Sequence, residues 1–507
     1  MNNYDVIVVG AGTSGLVSAL SLLKEGFKVL LLDDHNNVGG LSNSSKMGRF
    51  EFGNNIHNIY FNGYDECYKL ENILESLGVK EKVSLSSVSN LFRVITHDKD
   101  IVLPFGLENY IKKIEECVPG SEDKVRTFFE LALECREALD YIVKNSGSID
   151  YNYIIENYKN FARIGNNSVS KVMDALDIPL EAQELINVMW MLLGNSETKT
   201  SFVTYATFLL NVVEGYSVPS FNNADISLSL SNCYLENGGE LRLNSKVVKV
   251  LVDDNKVNGV RLEDGTILYA NKVVVNSSLN NLYGSLIDSS DVPKDALKNI
   301  NSRQLGGKSF TVNIGLNRSA SELGLNDYMY FLYQSLDSDI EYNRMRELLS
   351  GNQIAIVHNN ANSDISPEGT CEISLTTVYF EDCFGDYVEK ERYFTDIREI
   401  AQRLISVFEK YTKVRISNYI EEIEIKTPLN TIFSCNSPEG TTYGYKLCDL
   451  DDTLPRLLNR HKEKYIDGLY NCGGFDGDAY GYNSSFMSGI FCKDEIMKDI
   501  KESKNER

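Results

Sequence analysis

Three glycines in Gly10-Ala11-Gly12-Thr13-Ser14-Gly15 stand between an apolar run, Tyr4–Val9, and a segment of helical character, Leu16–Gly26. A second apolar run, Lys28–Leu32, ends in Asp33, 18 residues after Gly15. Residues of these types at this spacing bind a dinucleotide. Gly10 permits a tight turn, Gly12 lets backbone N–H groups approach a diphosphate, and Gly15 lets the helix pack closely on the strand. The helix N-terminus adds its partial positive charge, and an acid about 20 residues further on hydrogen-bonds ribose hydroxyls. Asp34, one residue past the run, is expected to be solvated. A buried parallel strand, a turn and a helix must position this set. The β-branched run YDVIVV, without polar alternation, reads as such a strand.

Two further features favour FAD over a nicotinamide cofactor. Gly39-Gly40 follow Asp33 in a D-x5-G-G pattern, a spacing found where the chain passes back beside the diphosphate of FAD. Near the other terminus a short strand, Gly468–Asn471, leads into Cys472-Gly473-Gly474, then Gly481 and a helix containing Ser488-Gly489. A chain that begins and ends on glycine-rich nucleotide elements has a split cofactor domain, and the longer FAD uses the second set of backbone donors. The flavin then carries the redox chemistry, so no acid–base dyad is required, and none is evident.

The 507 residues are 42% hydrophobic and 24% charged, as expected of a soluble protein of two or three domains. Asp and Glu outnumber Lys and Arg by 72 to 50, a formal charge of −22. That excess excludes the basic footprint of a nucleic-acid binder. Val188–Leu193 and Phe208–Val213 fall short of the roughly 20 residues of a spanning helix. Val188–Leu193 and Phe202–Val213 read as buried core helices, with a lipid-facing entrance as the alternative. The N-terminus enters a strand without a basic leader, so a cytoplasmic protein is expected, with peripheral contact to the inner face of the membrane left open. Ten cysteines form no C-x-x-C pair, so free thiols and no metal site are expected.

Later blocks extend the pattern. Gly238–Val252 (GGELRLNSKVVKVLV), Lys272–Tyr283 (KVVVNSSLNNLY), Thr427-Pro428 and Pro438–Gly444 (PEGTTYG) follow the first motif in order. Together they resemble the phytoene desaturase, carotenoid isomerase and retinol saturase group of FAD-dependent oxidoreductases, within the wider amine-oxidase-like flavoproteins. The resemblance spans nearly the whole chain. It implies that Gly10, Gly12, Gly15 and Asp33 hold the ADP half of FAD, with Gly39 and Gly40 beside the diphosphate. It also implies that Val247 sets backbone against the adenine, and that Gly473, Gly481 and Gly489 lie along the ribityl chain and flavin ring. His57, the one histidine in a family-like motif, is a catalytic candidate that would face the flavin or donate a proton, with a structural hydrogen bond as the alternative. Tyr443 and Tyr445 are further catalytic candidates, lining the substrate path beside the ring or else sitting in the core, and Tyr480 and Tyr482 are similar candidates. Asp476 and Asp478 suit either ribityl hydroxyls or an exposed turn. Where the group commonly carries a basic residue after the glycine pair, this chain has Leu41, and Lys46 or Arg49 is the expected substitute.

The expected architecture is α/β: a Rossmann-type, discontinuous FAD-binding domain (1–75, 226–285 and 456–500) with an inserted mixed-sheet and helical substrate domain. Insert 76–225 reads as a helical lid, with helices over Asp123–Lys144 and Ser168–Leu193 broken at prolines. Insert 286–455 reads as a mixed sheet, with strands Ser309–Leu316, Ile354–His358 and Glu372–Val378 and a helix at Tyr393–Lys410. The function implied is hydride transfer at the flavin to or from carbon–carbon bonds of an apolar polyene or isoprenoid-like small molecule, by desaturation, saturation or cis–trans isomerisation. The alternatives are an amine-oxidase-like enzyme on a more polar substrate and a non-catalytic prenyl- or lipid-binding relative.

Overall fold

The computed structural model describes residues 4–53, 59–60, 69–222, 224–380, 383–448, 452–459, 463–475 and 481–505. His57, Asp476, Asp478 and Tyr480 lie outside these residues. β1 (Tyr4–Val9) is sealed on both faces along Val6–Val8, which explains its unbroken apolar run. It pairs in parallel with β2 (Val29–Leu32) on one side and with Ile267–Val275 on the other. Glu240–Arg242 extends the sheet beyond β2, and Leu469–Asn471 pairs in parallel with the end of Ile267–Val275. The start of Ile267–Val275 instead joins an antiparallel meander with Lys256–Leu262 and Val247–Asp253. Chain segments from the beginning, middle and end thus complete one parallel sheet, which is the discontinuous Rossmann-type domain.

α1 (Thr13–Lys24) lies on this sheet, buried from Thr13 to Leu22. Helices Ala224–Glu236 and Tyr482–Asn505 pack against it. The last helix approaches closely at Gly489, where a Cβ would stand 2.7 Å from the Ser14 carbonyl oxygen and 2.8 Å from Val17 Cβ.

The second large sheet is mixed and has seven strands. Lys308–Leu316 sits between Ile420–Lys426 and Cys371–Tyr379, both antiparallel to it. Gln353–Val357 and Met329–Leu332 follow. The far edge, Phe92–Ile95 and Asp100–Leu103, comes from the segment expected to be a helical lid. One face of the sheet carries Phe310, Val312, Ile314 and Leu375 onto helix Tyr393–Thr412, in a core with Ile400, Leu404 and Phe408.

The helical segment is built on Glu122–Lys144 and Phe202–Glu214, which pack on each other. The segment Ser168–Leu193 breaks at Pro179 as expected, into two seven-residue helices, Val169–Ala175 and Leu180–Ile186, with a 3-10 turn at Val188–Leu192. Asp177 at φ +51° and Pro179 break it. Val188–Met191 and most of Phe202–Glu214 are buried core rather than lipid-facing. No helix among the described residues is long and apolar enough to cross a membrane.

Candidate active site

A cavity of about 770 Å³ runs along the C-terminal ends of the parallel strands. Gly10, Gly12, Asp33, Gly39, Gly40, Val247, Gly473 and Gly481 line it. Gly15 and Gly489 do not line it. They set helix packing: a Cβ on Gly15 would fall 2.0 Å from the Gly10 carbonyl oxygen, and Gly489 meets α1. The D-x5-G-G segment returns as expected, with Gly39 N–H donating to the Ala11 carbonyl at 2.8 Å and Gly12 bridging Gly39. α1 begins at Gly12 with no side-chain cap and no acid in its first turn. Its leading N–H groups therefore face the cavity, as anion binding requires.

Asp33 closes one end. Its carboxylate accepts the Ala11 N–H at 2.6 Å and the His35 N–H at 2.9 Å. Burial pushes its carboxyl up, against the pull of these two donors. Asp34 is engaged rather than solvated, meeting His35 Nδ1 at 2.7 Å and accepting from Asn436 Nδ2 at 3.0 Å. Lys46 and Arg49 do not stand in for the missing cation after the glycine pair. Lys46 is exposed beside Glu51, and Arg49 is paired with Glu421. A partly buried cation on the cavity is Lys426, 3.3 Å from Glu424, with its ammonium pKa pulled down by desolvation.

Asn276, the residue after strand Ile267–Val275, organises both glycine loops. In the amide orientation that satisfies its partners, its oxygen accepts the Gly15 N–H at 3.2 Å and its nitrogen donates to the Cys472 carbonyl at 3.3 Å. A Cβ on Gly12 or on Gly473 would stand 2.7 Å or 2.6 Å from this side-chain amide. The glycines are thus required by their neighbour as well as by approach to a ligand. Positive φ at Gly10 (+100°) and Gly473 (+111°) adds a backbone reason. The elongated cavity, the bare helix N-terminus, the terminal acid and the glycine cradles together fit FAD.

The face of the mixed sheet turned from its core is polar and buried. Across the strands, Glu424, Asn313 and Ser374 form one row. Asn313 Nδ2 donates to Glu424 at 2.9 Å, Ser374 Oγ donates to Asn313 Oδ1 at 2.8 Å, and His358 Nε2 lies 2.8 Å from Ser374 Oγ. The hairpin Ser44–Met47/Phe50–Gly53 covers this face, with Ser45 Oγ donating to Glu424 at 2.5 Å and Phe50 lying over Gly315. Burial drives His358 down to about 4 and Glu372, on the same face, up to about 8.

Tyr443 lines a second cavity of about 430 Å³. Tyr445 lines neither cavity. It is buried, with its hydroxyl donating to Asn280 at 2.7 Å and its ring edge-on to Phe475. Tyr482 is likewise buried, at the start of the last helix. The two cavities share a wall, in which Thr442 N–H donates to the Gly307 carbonyl at 3.0 Å and Gly306 N–H to the Gly444 carbonyl at 2.8 Å. Asn276, Lys426 and the polar row were missed in the sequence. The Asn in KVVVNSS is a signal for the first, whereas the partners of the others come from distant strands.

Comparison with known proteins agrees with this geometry. Residues 5–291, more than half of the chain, match the family model described as FAD dependent oxidoreductase. The chain is 22% identical to the all-trans-retinol 13,14-reductase of Danio rerio, over 98% of this chain and 86% of that protein. It is 23% identical to the chloroplastic prolycopene isomerase of Daucus carota, over 98% and 80%. It is also 23% identical to a 4,4'-diapophytoene desaturase of Methylomonas sp, over 62% of each. Among solved structures, an oxidoreductase from Methanosarcina mazei superposes with a TM-score of 0.63 at 14% identity, covering 97% of this chain and 99% of that one. A putrescine oxidase double mutant gives 0.65 at 14% identity, covering 98% and 99%. These solved structures share the fold. The chain belongs to the FAD-dependent oxidoreductase family, with FAD as its cofactor.

Proposed function

We propose that this protein transfers hydride to or from a carbon–carbon bond of an apolar polyene or isoprenoid-like substrate, by desaturation, saturation or cis–trans isomerisation. The observation that carries this reading is the reach of the similarity. The retinol reductase and prolycopene isomerase relatives match over 98% of the chain, so the likeness includes the inserts that wall the second cavity and not the nucleotide domain alone.

FAD, when bound, accepts or supplies the hydride. The chain's own residues bind, orient and shield. The first-turn N–H groups of α1 take the diphosphate. Asp33 accepts ribose hydroxyls in its ionised form. Gly473 and Gly481 open backbone to the far end of the cofactor, and Lys426 offsets negative charge gathered in the cavity. Tyr443 and Phe380 give the adjoining cavity an aromatic wall that excludes water from an unsaturated chain.

The test is product analysis under anaerobic conditions with all-trans-retinol and a poly-cis carotenoid, each supplied to oxidised and to dithionite-reduced protein. A new double-bond pattern in either redox state supports the reading. Unchanged polyenes, together with flavin bleaching by a simple amine, would replace it with amine oxidation.

A further inference from the structure

The second cavity has a charge character at odds with the rest of the chain. Within a protein of net charge −22, its lining brings together Arg303, Lys308 and Lys446, with Glu439 the one carboxylate among the described lining residues. Leu193, Phe380 and Tyr443 complete an apolar side. Two of the cations are matched. Arg303 meets Glu463 at 2.5 Å, and Lys308, itself buried, meets Glu439 at 3.2 Å. Glu439 holds φ at +52°, a conformation a non-glycine residue adopts at some cost, and there its carboxylate is committed to Lys308. Lys446 is different: its ammonium donates to the hydroxyl of Tyr342 at 3.2 Å, and no carboxylate among the described residues pairs with it.

The same lysine adjoins the aromatic wall. The Tyr342 ring stacks on Phe380 at 4.8 Å, and Lys446 lies 5.8 Å from the centre of the Tyr342 ring. A wholly hydrocarbon ligand would desolvate this cation without replacing its water. A ligand with an anionic end and an unsaturated body satisfies both sides at once.

We propose that this cavity takes the carboxylate of an amphiphilic unsaturated acid, with Lys446 as the anion-binding residue and Phe380 and Tyr443 against the adjoining hydrocarbon. The proposal rests on the polyene reading above and narrows its substrate class to chains that end in an acid. It also gives the wall shared with the cofactor cavity a purpose. Fixing the acid on Lys446 sets how far along the chain the reacting carbons stand from the cofactor.

The one tryptophan of the chain reports on this site, because Trp190 is buried 6.2 Å from Phe380. Full-length FAD-loaded protein is titrated with all-trans-retinoic acid, its methyl ester and geranylgeranyl diphosphate, following Trp190 emission. The acid should bind at least tenfold more tightly than the ester. Lys446→Met should abolish that preference while flavin absorbance stays unchanged, and Lys446→Arg should keep it. Equal binding of acid and ester to the unaltered protein overturns the proposal, and this comparison needs no variant. An undiminished preference in Lys446→Met, or tighter binding of the diphosphate than of the acid, also overturns it. Acid-selective binding through Lys446 with no electron exchange between flavin and any unsaturated chain would leave this site standing and remove the proposed reaction. Turnover of ester and acid alike, with equal affinity, would do the reverse.

Discussion

Asn276 lies against Gly12: a Cβ at residue 12 would come within 2.7 Å of the Asn276 side-chain amide. Because φ at Gly12 is −69°, the backbone itself would accept alanine, and the conflict is with this one side chain. Gly12→Ala should weaken FAD binding at least tenfold, and the same substitution in an Asn276→Ala background should recover part of the loss. Gly15→Ala meets the Gly10 carbonyl oxygen at 2.0 Å and should gain nothing from that background. FAD dissociation constants for these variants, measured by quenching of flavin fluorescence, check the contrast.

Asp33 anchors the loop and faces the cavity. Asp33→Ala removes the acceptor for two N–H groups and should cost about 1–3 kcal/mol in FAD binding, with Asp33→Asn intermediate. Burial pushes the Asp33 carboxyl up, so protonation begins at a higher pH than for an ordinary carboxylate. FAD affinity of the unaltered protein should therefore fall as pH drops through that raised value. Asp33→Asn should lose this dependence, as titrations at several pH values will show.

Glu372 is buried with one carboxyl oxygen unpaired. Its pKa is pushed up to about 8, against an ordinary 4.5, so between these values the folded state carries a proton that the unfolded state lacks. Stability must then fall as pH rises through that window. His358, held at about 4 against 6.5, acts oppositely at low pH but is neutral in both states above about 6.5. Glu197, raised to about 7, adds only to the lower part of the falling limb. From pH 6.5 to 8 the protein should lose about 1–2 kcal/mol, and Glu372→Gln should lose clearly less. Urea unfolding at the two pH values measures this.

Asn313 joins Glu424 on one strand to Ser374 on another, through a partly buried and a buried bond respectively. Asn313→Leu leaves each partner short of one bond and should destabilise by about 1–3 kcal/mol. It also frees Glu424 beside Lys426 on the cofactor cavity, so flavin content should fall with stability. A variant that loses stability but keeps full flavin affinity would confine the row to a structural role.

Sequence legibility followed locality. β1, α1, β2 and the returning Gly39-Gly40 are contiguous, and each signal lies within a few residues of what it forms. Three strands of the mixed sheet, Lys308–Leu316, Gln353–Val357 and Cys371–Tyr379, were legible to within a residue, because apolar residues alternate as in Lys308–Leu316. The break in Ser168–Leu193 was legible at Pro179, but the left-handed φ of +51° at Asp177 was not. Nor was the assignment of Phe92–Leu103 to the mixed sheet, whose partner, Met329–Leu332, lies over 200 residues away. Gly489 packs on Ser14 and Val17 of α1, a long-range contact that its own motif does not announce.

The most direct test of the central claim is the visible spectrum of the FAD-loaded protein, reduced anaerobically with dithionite and then mixed with all-trans-retinol or a poly-cis carotenoid. The account predicts flavin bands that bleach on reduction, and a polyene spectrum that changes only with protein present, with or without return of the flavin bands. A protein that takes up no FAD, or whose flavin in neither redox state alters any polyene, would contradict it.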